Sequence, residues 1–450
     1  MARRPTRREV LEGGAAGLVT AGLTACSDGD EPAPEPGRID HVIVVMLENR
    51  SFDHYLGSLS LVEGRADVDG LTGQESNPDL AGDPVGVFHL EEPCIEDPPH
   101  GWGSSHTQFA DGANDGFVVE HERRVGAEQG SWVMGYHDRE QLPVHYALAD
   151  AFAVPDRYFC ALLGPTWPNR LYGHCGTSNG QDDNTFPPSG GFTMKTVYQA
   201  LEEVGEDWRY YYSDLPWMGL FADHWVDEKV HYVEEFFYDV AAGRLPAFTW
   251  IDPAFGLADD HPPHHPGLGQ MFLATVYEAL ARSPLWERCL LVITYDEHGG
   301  FFDHVPPGTT DDEFADQGFD QLGFRIPALV VGPWVKQGGS GVVLSHASPL
   351  KYVCERFGVA PWTARIAAAN SLSELLDADR MASGVPLDPV VLPAFEVPEE
   401  DITDECQYDI AALSAQVELA EWVQTNQPQA LRGYDRSMLL EQARRLGLVR

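Results

Sequence analysis

Two pairs of oxygen donors stand directly behind apolar runs. Glu48-Asn49 follows Val42-Ile43-Val44-Val45-Met46-Leu47, and Asp296-Glu297 follows Leu290-Leu291-Val292-Ile293-Thr294-Tyr295. Carboxylates carried to the buried end of a strand are costly unless they are paired or bound to a metal ion. If the two ends converge, they make an oxygen-rich site for a divalent cation, with calcium, magnesium, manganese, iron and zinc all admissible. Solvated carboxylates at strand ends are the plain alternative. A hydroxyl is offered by Gly164-Pro165-Thr166-Trp167-Pro168-Asn169-Arg170, which the sequence presents as a rigid, proline-framed loop. A threonine hydroxyl is a poor nucleophile until a cation stabilises its alkoxide. Attack on phosphorus would leave a phosphothreonine for water to cleave. Arg170 is an oxyanion candidate or a brace for the loop, and a turn-capping Thr166 is the structural alternative.

Histidines crowd the polar segments: His100, His106, His261, His264, His265, His298 and His304. Such side chains hold phosphoryl oxygens or protonate a leaving group, although an isolated histidine is more often structural. They are densest in Asp259-Asp260-His261-Pro262-Pro263-His264-His265 and in the stretch from Asp296 to His304. Gly299 and Gly300 allow the backbone to approach a ligand closely. The lysine-containing pattern of a phosphate-binding P-loop is absent.

The elements that must position these groups follow from hydropathy. The near-continuous apolar run over 40–47 predicts a buried, parallel central strand, and 289–295 repeats it. Further strands are expected over 207–212, 248–251 and 325–332, with helices over 198–204, 270–281 and 348–357. The stretches 57–130 and 252–269 read as irregular loops. This alternation predicts an α/β layered core, in which ligand groups at the carboxyl ends of strands face a crevice. No internal repeat is evident, and the acidic stretch 396–405 sets off a helical extension over 396–450.

All 450 residues carry 70 acidic against 29 basic side chains, a formal charge of −41. That field, with no basic run against it, argues against nucleic acid as a partner. An anionic substrate must then be drawn by a cation and local arginines. The hydrophobic share of 43% and the dispersed 44 glycines and 33 prolines fit a loop-rich globular enzyme. Thr6-Arg7-Arg8-Glu9-Val10-Leu11 resembles a twin-arginine export signal, and Leu23-Thr24-Ala25-Cys26 a lipoprotein cleavage box. These imply a signal peptide over 1–25, export by the twin-arginine machinery, and lipidation of Cys26. A flexible tether over 26–37 would hold the protein at the outer face of the cell membrane, with a secreted product as the alternative. The other six cysteines allow 15 pairings that spacing does not rank.

Taken together, Glu48 to His54, Gly164 to Arg170 and Thr294 to Pro307 resemble the bacterial phospholipase C and acid phosphatase family, over about residues 38 to 360. The resemblance implies an alkaline-phosphatase-like layered core over 38–395, with a mostly parallel central sheet and large irregular insertions. It implies metal ligation by Glu48, Asn49, Asp296 and Glu297, and Thr166 as nucleophile. It gives His261 a phosphoryl or proton-transfer role, with His304 as the second candidate. Asn49, His100, Arg170 and His264 are the expected substrate contacts. Acid phosphatases of the family use serine as nucleophile, so the threonine looks more like the phospholipase C branch. The expected reaction is hydrolysis of a phospholipid or small phosphate ester. A phosphomonoesterase using the same chemistry, and a non-catalytic surface binding protein, are the alternatives. The formylglycine pattern of a sulfatase is not found at the nucleophile.

Overall fold

The run after Asp40 becomes β1 (His41–Leu47), buried at every position. It is flanked on both sides by parallel neighbours, which is why it needs no polar alternation. In chain order the other strands of its sheet are β2 (Ala153–Pro155), β3 (Trp208–Tyr212), β4 (Val230–Tyr232), β5 (Phe248–Asp252), β6 (Cys289–Tyr295), β7 (Leu329–Val331) and β8 (Gly338–Ser340). The sheet runs β8-β2-β7-β6-β1-β5-β3-β4. Only β7 is antiparallel to its neighbours, β6 and β2. The protein is therefore α/β with a large, mostly parallel central sheet. This is a computed structural model, and it describes residues 37–187, 191–221, 228–398, 406, 414–426, 428 and 430–448. The expected signal peptide, nearly all of the tether and Cys26 lie outside them.

Helices gather into two groups against the sheet. One joins α5 (Thr166–Cys175), α6 (Val197–Val204) and α9 (Ala347–Phe357). The other joins α4 (Pro143–Ala151), α7 (Val233–Ala241), α8 (Pro266–Ala281) and α11 (Arg436–Leu446). Among the described residues, no helix is long and apolar enough to cross a membrane.

Three segments differ from the sequence-based expectation. The proline-framed loop is the opening turn of α5, since proline is tolerated where a helix has no carbonyl partner to offer its nitrogen. Helix α8 begins four residues before the expected start, with Pro266 in its first turn and the His265 ring accepting from Gly267 N. The stretch 57–130 carries α2 (Trp102–Phe109) and α3 (Phe117–Val125). Their few apolar positions are too short a series to show a period. Phe117 and Val118 nevertheless fill a small core with Leu71, Val133, Met134 and Phe324.

The C-terminal extension shares the main core through Leu419 and Val423 of α10 (Ser414–Asn426) and Leu439 and Ala443 of α11. Arg432 forks onto Glu234 at 3.0 and 2.7 Å, and Tyr212 Oη donates to the Ala430 carbonyl. A disulfide joins Cys94 to Cys406 across 312 residues of chain, tying the extension to the insertion. Cys160, Cys175, Cys289 and Cys354 are free and buried.

A second tie holds the segment after β6. The buried Arg325 guanidinium donates to Asp303 at 2.8 Å and to Asp53 of α1 (Phe52–Leu56) at 2.9 Å. The other Asp53 oxygen accepts both the backbone and the ring Nδ1 of His304 at 2.7 Å. Burial opposes the charged imidazolium, but the Asp53 carboxylate outweighs it and raises the His304 pKa to about 9.

Two outcomes are expected. Cys94→Ser should lower stability by about 2–4 kcal/mol, read by chemical denaturation, because the unfolded chain loses its cross-link. His304→Asn should cost about 1–2 kcal/mol near pH 6 and much less near pH 10. The folded pKa is raised, so the stabilisation is complete below the unfolded value of 6.5 and is lost as pH rises through about 9. An equal loss at both pH values would refute the ionic assignment.

Candidate active site

Register does the first work. Leu47 pairs with Tyr295 in parallel, so the next residues, Glu48 and Asp296, leave the sheet side by side. Val45 pairs with Ile251 on the other flank, which brings Asp252 to the same end. Asn49 then takes a left-handed conformation, φ 63°, which asparagine tolerates better than most residues. The turn lets Asn49 N donate to Asp296 Oδ1 at 2.9 Å and Arg50 N donate to the Glu297 carbonyl at 3.0 Å. Gly299 closes over it: a Cβ there would stand 2.2 Å from the Asn49 carbonyl oxygen. Its N–H donates to Glu297 Oε2 at 2.7 Å.

The four expected metal ligands thus converge from two adjacent strand ends. Both Glu48 carboxylate oxygens, Asn49 Oδ1, Asp296 Oδ2 and Glu297 Oε1 are buried and accept no hydrogen bond among the described residues. Burial pushes Glu48, Asp296 and Glu297 above the usual carboxylate range, and repulsion from Asp296 adds to this for Glu48 and Glu297. Glu48, Asp252 and Asp296 gather round one guanidinium, Arg170, and Glu297 adjoins them. One fixed cation against four buried carboxylates leaves negative charge uncompensated. Orphaned carboxylate and amide oxygens are the donor set of a hard divalent cation, so the residues fit the metal that the sequence resemblance implies.

Arg170 stands against these carboxylates. It is fully buried, donates to Asp252 Oδ1 at 3.1 Å and the Met46 carbonyl at 3.2 Å, and stands 3.3 Å from Glu48. These contacts make it a brace for the carboxylates, while its Nε, 3.8 Å from Asp296 Oδ2, has no hydrogen-bond partner among the described residues. Thr166 is one helical turn earlier on α5, and residues four apart share a helix face. The threonine therefore shares the helix face that carries Arg170 to the carboxylates. Asn169 fixes the approach to it: Oδ1 accepts from Ala161 N and Leu162 N, while Nδ2 donates to the Gly164 and Pro165 carbonyls. Trp167 N is taken by Asn184 Oδ1 at 2.8 Å. Among the described residues, the Thr166 hydroxyl makes no hydrogen bond. Its place at the first position of a ten-residue helix favours negative charge on it or beside it.

A histidine wall adjoins the floor. His100 Nδ1 donates to the Pro98 carbonyl at 2.7 Å, and its Nε2 lies 3.3 Å from Asn49 Nδ2 and 3.8 Å from Glu297 Oε1. Burial lowers the pKa of His100, but Glu297 and Asp97 outweigh it and raise it to about 9, so positive charge is favoured there. His261 Nδ1 donates to the Pro262 carbonyl at 2.6 Å, and burial lowers its pKa to about 4. His264 Nδ1 donates to Asp259 Oδ1 at 2.6 Å, and burial likewise lowers its pKa to about 4. One donor atom each from Asp97, His100 and His261 lie within 4.8 Å of one another.

His304 is not brought into this group. Its contacts are Asp53, Asp69 and Arg325, and the Asp53 carboxylate already holds its ring. His298 backs the floor, 3.1 Å from Glu297 Oε2 and 2.8 Å from Gln108 Oε1, while His106 packs on Trp102. Sequence reasoning missed Asp97, Asp252, Asn184 and Asp259. Asp259 accepts from both His261 N and His264 Nδ1, while its carbonyl accepts from Glu48 N. Its place in the dense Asp/His group was the available signal. Asp97, three residues before His100 among prolines, gave a weaker one.

Known proteins resemble the chain over most of its length. The model of the phosphoesterase family matches residues 39–360. Non-specific phospholipase C1 of Arabidopsis thaliana is 35% identical over 71% of this chain, and the match spans 66% of the plant protein, just under two thirds of it. Phospholipase C A of Mycobacterium tuberculosis (strain ATCC 25618 / H37Rv) is 31% identical over 79% of this chain and 81% of its own length. A solved protein of the alkaline phosphatase superfamily from Vibrio parahaemolyticus aligns over 81% of this chain and 96% of that one, at 14% identity and a TM-score of 0.34, too low to carry weight. With residues 39–360 matched, this chain belongs to the phosphoesterase family and is a phosphoric ester hydrolase.

Proposed function

We propose that the protein is a phospholipase C-type hydrolase in which Thr166 attacks phosphorus and carries the phosphoryl group as a phosphothreonine. The observation that carries this reading is the position of Thr166: it opens α5 one turn before Arg170, and Arg170 lies against the buried carboxylates. A divalent cation held by Glu48, Asn49, Asp296 and Glu297 would supply the charge that lowers the hydroxyl pKa and offsets the phosphoryl oxygens. The chain's own residues do the rest. Asn169 and the prolines fix the backbone, so the hydroxyl needs little reorganisation to reach an in-line position. The amino end of α5 favours the anionic phosphoryl group.

In the first step a bond forms between the Thr166 oxygen and phosphorus, and the bond from phosphorus to the leaving oxygen breaks. The Thr166 hydroxyl gives up one proton and the leaving alcohol takes up one, so the step is proton-neutral. With a phospholipid, that alcohol is diacylglycerol. Water then attacks the phosphothreonine, releasing the phosphorylated head group and restoring the hydroxyl. The leaving oxygen would depart toward Asp97, His100 and His261. His261 is buried and held through Nδ1, and burial lowers its pKa to about 4, so it is neutral near pH 7. A phospholipid is favoured as substrate because matched relatives are named phospholipases C. Export through the twin-arginine route, with lipid attachment at Cys26, rests on Arg7-Arg8 and the residues before Cys26.

Thr166→Ala should lower kcat by about 10³-fold or more while the thermal melt is kept, since the nucleophile itself is lost. Acid-quenched turnover of phosphatidylcholine should place a phosphocholine group on the Thr166 peptide by mass spectrometry. A screen of phosphatidylcholine, sphingomyelin and simple phosphomonoesters should favour a diester. Near-normal turnover in Thr166→Ala would overturn the mechanism, and preference for monoesters would overturn the substrate class.

A further inference from the structure

We propose that the loop after α5 builds a head-group subsite, in which a cavity lined by Asp182, Asp183, Phe186, Phe192 and Met194 seats the ammonium group of a zwitterionic phosphate diester. This subsite presupposes Thr166 as nucleophile and names what its substrate carries. Contiguity with the Thr166 turn is the first support. Asn184 Oδ1 accepts from Trp167 N at 2.8 Å, and the Trp167 ring meets Phe186 edge to face, with centroids 6.1 Å apart. The Asp182 carbonyl approaches the same turn at Gly164, where a Cβ would stand 3.8 Å from it. The loop is therefore fastened to the opening of α5 on both sides of Thr166.

Charge is the second support. Asp182 and Asp183 line the cavity, and among the described lining residues there is no Lys, Arg or His. Asp183 is fixed by Thr185, whose N–H and hydroxyl donate to its two oxygens at 3.0 and 2.8 Å. The Gln181 amide donates to the carbonyls of Asp183 and Thr185 at 2.9 and 2.8 Å, so the loop holds its shape through its own hydrogen bonds. Phe186, Phe192 and Met194 supply apolar lining. Carboxylates beside aromatic and thioether surface suit an ammonium ion that carries methyl or methylene groups. An anionic head group would meet two carboxylates with no basic side chain to balance it. The volume, about 530 Å³, lies in the usual range of small-molecule sites. In-line attack agrees with this placement. The leaving oxygen departs opposite Thr166, whereas the head-group oxygen stays on phosphorus beside the attack line. The head group is thereby directed along the turn, where this loop is attached.

The test uses full-length protein and two soluble diesters that share a leaving group, p-nitrophenyl phosphocholine and p-nitrophenyl ethyl phosphate. With no lipid surface present, the comparison reads the head group alone. Wild type should favour the choline ester in kcat/KM. Asp182→Asn should reduce that preference about 3-fold and Asp182→Lys about 10-fold, chiefly through KM. Thermal melts should be unchanged, because Asp182 is exposed. A wild type with no choline preference, or an Asp182→Lys variant that keeps the preference or slows both esters equally, would overturn the subsite. Failure of the nucleophile reading looks different: near-normal turnover in Thr166→Ala would leave the choline preference in place. If wild type cleaves neither diester, calorimetric binding of phosphocholine decides. Binding weakened by Asp182→Lys keeps the subsite, and no binding, or binding indifferent to that charge, overturns it.

Discussion

Several carboxylates are buried at the carboxyl ends of three neighbouring parallel strands, and the rest of the molecule answers to their charge. Glu48, Asp252 and Asp296 arrive together because β5, β1 and β6 run in the same direction in matched register. Leaving three or four such groups charged in a water-poor interior with one guanidinium is costly, so they favour taking up protons or binding further positive charge. Arg170 is therefore a structural cation as much as a functional one. By placing it on α5, the chain fixes Thr166, the proposed nucleophile, one helical turn from the ion pairs of Arg170.

The surrounding loops stiffen this arrangement. Asp259 ties the end of β1 to His261 and His264, so a shift in one strand would move the histidine wall with it. The insertion after α1 is anchored by the Cys94–Cys406 bridge on one side and by Pro98 and Pro99 around Gly300 on the other. Asp97 lies between those anchors, and His100 directly follows the second. The Arg325 network holds the segment after Glu297 against α1. Substrate selection belongs to such loops, whereas the charge that drives the chemistry belongs to the sheet.

Much of this was legible in the residues. Uninterrupted apolar runs at 40–47 and 289–295 could only be strands buried on both faces, and the donors behind them marked the crevice. The helical nature of Thr166 to Cys175 was hidden by two prolines, which punctuate a loop and open a helix equally well. Arg170 read as a substrate contact because sequence shows a charge but not which side of the sheet end it occupies. His304 read as a site residue because it follows Glu297 closely, yet Asp53, 251 residues away, claims its ring. Asp97 and Asp259 acquire meaning only from contacts that pair distant segments, and no local period carries that information.

Crystals grown with manganese and a phosphate analogue, read by anomalous scattering, test the central claim most directly. An ion should appear among the oxygens of Glu48, Asn49, Asp296 and Glu297, with the Thr166 hydroxyl within coordination reach of it, about 2.0–2.6 Å. A manganese site elsewhere, or a Thr166 hydroxyl more than about 10 Å from the ion and so far beyond ligation, would contradict it.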